Sequence, residues 1–150
     1  MRAVIQRVSN ASVSIKQQKT AHIEKGLFIL LGIEEKDTQE DIDWLAKKII
    51  HLRIFNDLNG VMNQCSLDIN AQVLIVSQFT LFAKTKKGNR PSYTKAAPPS
   101  ISLPLYQSFI KAIQSLSTTK VKTGEFGADM QINLTNDGPV TIIIDTKNKE

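Results

Sequence analysis

The sequence is poor in the residues most often used to activate a nucleophile: 150 positions hold one cysteine and two histidines. A single cysteine, Cys65, excludes an internal disulfide. Its neighbours Asn63, Gln64, Ser66 and Leu67 supply no base or cation, so it reads as a partly buried spectator thiol. His22 lies in a strand-like stretch and His51 near the end of a helical one. With Cys65 they share no metal-ligand spacing. A Ser-His-Asp triad would need one of these histidines beside an activated serine, and neither lies near a nucleophile-elbow motif. His51 fits better as a partner for a helix C-terminus. No glycine-rich phosphate loop occurs either, because Gly124 and Gly127 flank a phenylalanine and lack the P-loop lysine. Long apolar runs are also missing. The longest, at residues 27–31, is far short of the ~20 residues that span a bilayer. Residues 1–8 lack the apolar block of a signal peptide. These absences lead us to expect one cytoplasmic domain over residues 1–150, with no membrane partner, no metal and no cofactor.

Positive charge is in excess, with nineteen Lys and Arg against fourteen Asp and Glu. The excess is concentrated: Lys84, Lys86, Lys87, Arg90 and Lys95 follow one another without an acidic residue between them. Such a loop either grips phosphates or is simply solvated, and composition does not choose. The lysines of the final four residues read as a frayed tail.

Periodicity gives a coarse fold. Ala11, Val13 and Ile15 alternate with Ser12 and Ser14 as a half-buried strand, and residues 2–8 are strand-like. Residues 27–31 and 72–77 read as buried strands, the first covered on both faces. Asp37 and Glu40 form an expected capping box for a helix with the apolar stripe Ile42, Leu45, Ile49, Leu52, while Asp41, Lys47 and Lys48 face water. Residues 56–60 are turn chemistry. A long loop over 83–100 precedes a second helix expected near Ser102, with Pro104 in its first turn and Leu105, Phe109, Ala112, Ile113 and Leu116 facing the core. Three strands are expected last, at about 119–123, 130–134 and 140–144. The fold class is α/β: a single domain with a mixed, mostly antiparallel sheet or partial barrel and two helices packed on it.

Two segments break the pattern. Ser77-Gln78-Phe79-Thr80-Leu81 runs on from the strand Val73-Leu74-Ile75-Val76 and sets hydroxyl, amide and backbone N–H donors at the rim of the sheet. Donors so placed either hold an oxyanion or satisfy the strand's own end. Asn136-Asp137-Gly138-Pro139-Val140-Thr141 is either an ordinary turn or a site for a cis Gly-Pro bond aiming two carbonyls the same way.

Together these two segments resemble the paired signature motifs of the D-aminoacyl-tRNA deacylase family. The opening Met1-Arg2-Ala3-Val4-Ile5-Gln6-Arg7-Val8, the block Arg90-Pro91-Ser92-Tyr93 and Gly124-Glu125-Phe126-Gly127-Ala128-Asp129-Met130 agree with it, so the similarity runs end to end. Tyr93 stands where the family more often has phenylalanine, and the match does not extend to the lysines within 84–89.

The resemblance implies an ester hydrolase that frees a D-amino acid from transfer RNA, and a homodimer with active sites at the subunit interface. It implies that Gly138 and Pro139 form a cis peptide inserted into the partner's pocket, where their carbonyls reject an L side chain. Arg7 would hold that motif. Ser77, Gln78, Phe79 and Thr80 would line the facing, catalytic wall, with Phe126 and Met130 near the terminal adenosine. Two chemistries fit the family: Thr80 as nucleophile, or the ribose 2′-hydroxyl helping to activate water. The lack of a base favours the second, with N–H groups near Phe79 and Thr80 stabilising the oxyanion. Glycyl-tRNA, having no side chain to reject, is an implied second substrate. The competing expectation is a non-catalytic basic module that binds RNA or DNA.

Overall fold

A computed structural model describes residues 1–150. Eight strands and two helices follow in the order β1 (Arg2–Ile15), β2 (Gln18–Ile23), β3 (Gly26–Gly32), α1 (Gln39–Ile50), β4 (Phe55–Asn56), β5 (Met62–Gln64), β6 (Gln72–Ser77), α2 (Pro99–Leu116), β7 (Val121–Thr123) and β8 (Gln131–Asp145). A 3₁₀ turn, Phe79–Phe82, follows β6.

The long strand β1 organises the sheet. Its first half pairs with β3 and its second half with β2, while β8 runs antiparallel along almost its whole length. Beyond β3 the sheet continues in parallel through β6 to β7. The sheet is therefore mixed, and β2 approaches β6 and β7 as it curls toward a barrel. A small antiparallel pair, β4 and β5, stands apart, and the turn residues between them do not announce it.

Burial on both faces explains the continuous apolar runs. Leu27, Ile29 and Leu31 of β3, with Val73 and Ile75 of β6, face the main core, which α1 and α2 cover with Ile42, Leu45, Ile49, Phe109 and Ile113. The alternate residues Phe28, Leu74 and Val76 join Val8, Ala11, Val13 and Ile23 in a second core inside the curl. No helix is long and apolar enough to cross a membrane.

Several sequence expectations need correction. The cap of α1 is Thr38, not Asp37, and the partner at the third helical position is Asp41, whose carboxylate accepts from the Thr38 N–H at 2.9 Å. Asp37 is unavailable because its buried carboxylate accepts from the Met1 ammonium and from the Glu34 N–H. Asp41 is likewise buried rather than solvated. It also takes the Lys147 ammonium at 2.7 Å, so the end of the chain is docked on α1 and not frayed. Helix α2 starts at Pro99, and Pro104 lies inside it. The carbonyl of Ser100, left without a helical donor by Pro104, is on an exposed residue that water can serve. The buried face of α2 centres on Tyr106, Phe109 and Ile113, with Leu105, Ala112 and Leu116 only partly covered. Ser12 is also buried, though less completely than Ala11 and Val13, on a stretch of β1 paired with both β2 and β8. Finally, residues 131–145 form one strand, not two. His51, as expected, closes α1, donating from Nδ1 to the Lys47 carbonyl at 2.8 Å.

Candidate active site

Strand β6 ends where its neighbour does. The Gln78 N–H donates to the Leu31 carbonyl at 2.7 Å, the last bond to β3, and the chain then tightens into the turn Phe79–Phe82. Leu81 N–H to the Gln78 carbonyl (3.3 Å) and Ala83 N–H to the Thr80 carbonyl (3.0 Å) close it. The N–H groups of Phe79 and Thr80 open this turn and have no partner inside it. Phe82 is buried and anchors the turn, whereas Phe79 is 57 % exposed. Gln78 donates from Nε2 to the Thr80 hydroxyl at 2.5 Å, which orients both side chains.

Arg2 braces the far side of this turn. Its Nη1 donates to the Leu81 carbonyl at 3.0 Å, and its guanidinium lies over the Phe82 ring, 4.8 Å from the centroid. Its Nε pairs with Asp145 at 2.7 Å. Burial opposes ionisation of Asp145, but the bonds from Arg2 and from the Lys147 N–H outweigh it and hold the carboxyl below its ordinary value.

Beside the turn is a cavity of about 610 Å³. Ser77, Gln78 and Phe79 form one wall, Phe126 and Met130 another, and Tyr93 stands at the side with its ring edge-on to Phe79, centroids 5.0 Å apart. Phe126 leans on Tyr106, whose hydroxyl donates to the Ile75 carbonyl at 3.0 Å; burial pushes that phenol well above its ordinary range. Gly124 lets Met130 come close, since a Cβ there would be 2.6 Å from the Met130 sulfur. Asp129 is the only charged residue in the lining, and no histidine or cysteine belongs to it. No three His, Cys, Asp or Glu residues cluster as a metal site would require. The cavity thus offers apolar surface, the Gln78 amide, the hydroxyls of Ser77, Ser102 and Tyr93, and a single carboxylate, Asp129.

The segment 136–140 is a bulge within β8. Between the pairs Gln6–Thr141 and Val8–Asn136, two steps along β1 match five along β8, so the extra residues are pushed out of the ladder. Asn136 spans the bulge, accepting the Val140 N–H at 3.0 Å and donating to the Thr141 hydroxyl at 3.0 Å. The Gly138–Pro139 bond is cis, and both residues are exposed. Gly138 has φ +131°, and a Cβ would come within 2.9 Å of both Arg7 Nη2 and Val140 Cγ2, so only glycine fits. Buried Arg7 fixes the bulge: Nε donates to the Asp137 carbonyl at 3.0 Å, and Nη1 donates to the Ile54 carbonyl (2.7 Å) and to Asn56 Oδ1 (3.2 Å).

Ser77, Gln78, Phe79, Phe126 and Met130 therefore share one cavity. Thr80 is one step behind its wall, bonded to Gln78. Arg7, Gly138 and Pro139 are not in that lining; the exposed Gly138–Pro139 pair and the buried Arg7 behind it form a separate feature of the same chain. Sequence reasoning did not place Ser102, Tyr93 or Asp129 in the lining. Ser102 carries no signal beyond a helix position. Tyr93 and Asp129 fall within the blocks at 90–93 and 124–130 that carry the family resemblance, and this is the signal that could have found them.

Comparison with known proteins agrees along the whole chain. The family model described as D-Tyr-tRNA(Tyr) deacylase matches residues 4–145. A D-aminoacyl-tRNA deacylase of Bacteroides fragilis is 63 % identical over 150 residues, covering 100 % of both chains. One of Flavobacterium johnsoniae is 59 % identical with the same coverage. A solved structure described as a c-Myc DNA unwinding element binding protein superposes with a TM-score of 0.92 at 38 % identity, over 97 % of this chain and 98 % of that one. Another, described as a probable eukaryotic D-amino acid tRNA deacylase, gives a TM-score of 0.80 at 16 % identity over 95 % and 97 %, and shows the shared fold.

Proposed function

From the premise that the chain belongs to the D-Tyr-tRNA(Tyr) deacylase family, and so is a hydrolase of D-aminoacyl-tRNA esters, we infer that the ester is cut in the cavity beside the Phe79–Phe82 turn. One observation supports the assignment: the turn whose Phe79 and Thr80 N–H groups have no partner within it borders a cavity that holds no histidine or cysteine and only one carboxylate, Asp129.

Hydrolysis there begins with water adding to the ester carbonyl. The carbonyl oxygen becomes an oxyanion, and the N–H groups of Phe79 and Thr80 stabilise it. The ribose 2′-hydroxyl of the substrate helps to activate the water, in place of a protein base. The C–O bond to the 3′-oxygen then breaks, that oxygen takes up a proton, and free amino acid and transfer RNA leave. Thr80 orients Gln78 in this scheme and is not itself the nucleophile. Phe126 and Met130 supply the apolar surface for the terminal adenine.

Chiral choice falls to Gly138 and Pro139. They are exposed and held by Arg7, yet absent from their own chain's cavity, so they act in the cavity of a second copy. Main chain fixed in this way rejects an L side chain without relying on a mobile rotamer. It leaves glycine, which has no side chain, as a second substrate. The work is done in the cytoplasm, on charged transfer RNA, by a homodimer.

Hydrolysis of matched D- and L-tyrosyl-tRNA by the purified protein tests the reading. The D ester should be cleaved at least about a hundredfold faster, a difference of roughly 2.7 kcal/mol in barrier. Equal rates would refute the chiral assignment. Binding of nucleic acid with no cleavage of either ester would instead favour a non-catalytic module, in keeping with the DNA-binding description of the 38 %-identical structure.

A further inference from the structure

We propose that the loop 84–95 is a phosphate grip for the RNA body of the substrate, holding the strand whose aminoacylated end lies in the cavity. The proposal rests on the deacylase reading above.

Charge distribution is the first argument. Five of the nineteen basic residues lie in this loop; without them the chain holds fourteen basic and fourteen acidic residues. The loop alone therefore accounts for the +5 net charge. Every residue from 84 to 95 is exposed, and none of the five cations takes part in an ion pair. Only Lys84 has a side-chain bond, from Nζ to the Thr94 hydroxyl at 3.1 Å. Apart from that one bond the crowded cations only repel one another within the chain, so their further favourable interactions lie outside it.

Placement is the second. The loop is closed at its neck by paired bonds between Lys84 and Ser92, N–H to carbonyl at 2.7 and 3.0 Å. One end continues directly from the Phe79–Phe82 turn; the other carries Tyr93, packed on Phe79 at the cavity wall. Lys86, Lys87 and Arg90 are thus projected from the rim of the cavity on a closed stalk. The lining itself has no cation and one carboxylate, Asp129, so it cannot neutralise the phosphates that follow the terminal adenosine. The rim loop can.

The test compares two substrates across salt. D-tyrosyl-tRNA carries the phosphates; D-tyrosyl ester on adenosine alone carries none. For the variant Lys86→Ala with Lys87→Ala and Arg90→Ala, kcat/KM on the full transfer RNA should fall at least about tenfold, mostly through KM. The slope of log kcat/KM against log salt should flatten by roughly 0.7 to 0.9 for each phosphate that is no longer neutralised. The ratio of kcat/KM on transfer RNA to that on the adenosine ester should collapse accordingly. An unchanged ratio and slope would overturn the proposal and leave a solvated loop. An equal fall on both substrates would overturn it too, because the loop would then be shaping the cavity. A wild-type protein inactive on both D esters would remove the deacylase reading and the grip together; activity on the ester separates that failure from failure of the loop alone.

Discussion

Arg2 and Arg7 show what one side chain can fix at a distance. Both belong to β1, and each places its guanidinium on a main-chain carbonyl of an irregular segment: Arg2 on Leu81 in the turn, Arg7 on Asp137 in the bulge. Arg2 lies outside the cavity lining, so its effect on the reaction passes through the turn it braces. A hydrogen bond from a charged donor contributes about 1.5–3 kcal/mol. Arg2→Ala should accordingly lower kcat by about ten- to a hundredfold with little change in KM, and Arg2→Lys should recover part of the loss. Steady-state kinetics of the three proteins, with thermal melts to confirm folding, checks this. A matched rise in KM would show that Arg2 supports binding instead. Arg7 is legible in the sequence only through resemblance, and Arg2 is not legible at all. Its partners, Leu81 and Asp145, are far away along the chain, and no local pattern encodes such a pairing.

At the level of elements, helix α1 and the end of the chain hold each other through Asp41. Burial opposes its ionisation, but bonds from Lys147, Thr146 and Thr38 more than offset this and hold the carboxyl far below the usual carboxylate range. A carboxyl depressed by folding stabilises the protein at all pH values above its unfolded value, near 4, and that contribution is lost as pH falls toward the folded value. Asp41→Asn should therefore lower Tm at neutral pH, by about 2–4 °C for each kcal/mol lost. It should also flatten the loss of stability below about pH 4 relative to wild type. Calorimetry from about pH 7 down to about pH 2.5 covers the upper part of that window and reads both effects. Parallel acid limbs would mean that Asp41 is not the group responsible.

The same elements show where sequence pattern suffices. β3, β6 and the stripe of α1 are readable because two-sided burial and helical spacing are local signals. The cap of α1 is misplaced by one residue in a sequence reading because the group that occupies Asp37 comes from Met1. β8 reads as two strands because Asn-Asp-Gly-Pro has every local mark of a turn. The ladder to β1, at the opposite end of the chain, overrides those marks and turns them into a bulge.

For the molecule as a whole, the wall and the clamp are separate features of one chain, and this makes the shared site testable by mixing. Phe79→Ala with Thr80→Gly strips the side chains from the wall and loosens the turn that carries its N–H groups. Gly138→Ala disables the clamp, because its Cβ would meet Arg7 and Val140 at 2.9 Å. Each variant alone should cleave D-tyrosyl-tRNA poorly or lose its preference for it. A mixture allowed to exchange subunits should regain selective activity, since one site in each mixed dimer joins an intact wall to an intact clamp. Exchange shown by native mass spectrometry without recovered selectivity would place the clamp in its own chain's site. The cavity residues Ser77, Gln78, Phe79, Phe126 and Met130 are legible in the sequence through the family resemblance. Their gathering around Tyr93 and Asp129 is not, because it depends on how the loop and α2 fold over the sheet.

Strand β8 is also a mechanical link. Gly138 and Asp145 are separated by about 23 Å of extended chain; the first lies in the cis-proline bulge, and the second grips Arg2, which braces the Phe79–Phe82 turn. In the proposed dimer the clamp at one end would serve the neighbour while the turn at the other would serve its own chain. Displacing a clamp would pull, through one stiff rod, on the turn of the opposite site. On that arrangement the two proposed sites would be connected in series, and substrate arriving at one would be felt at the other.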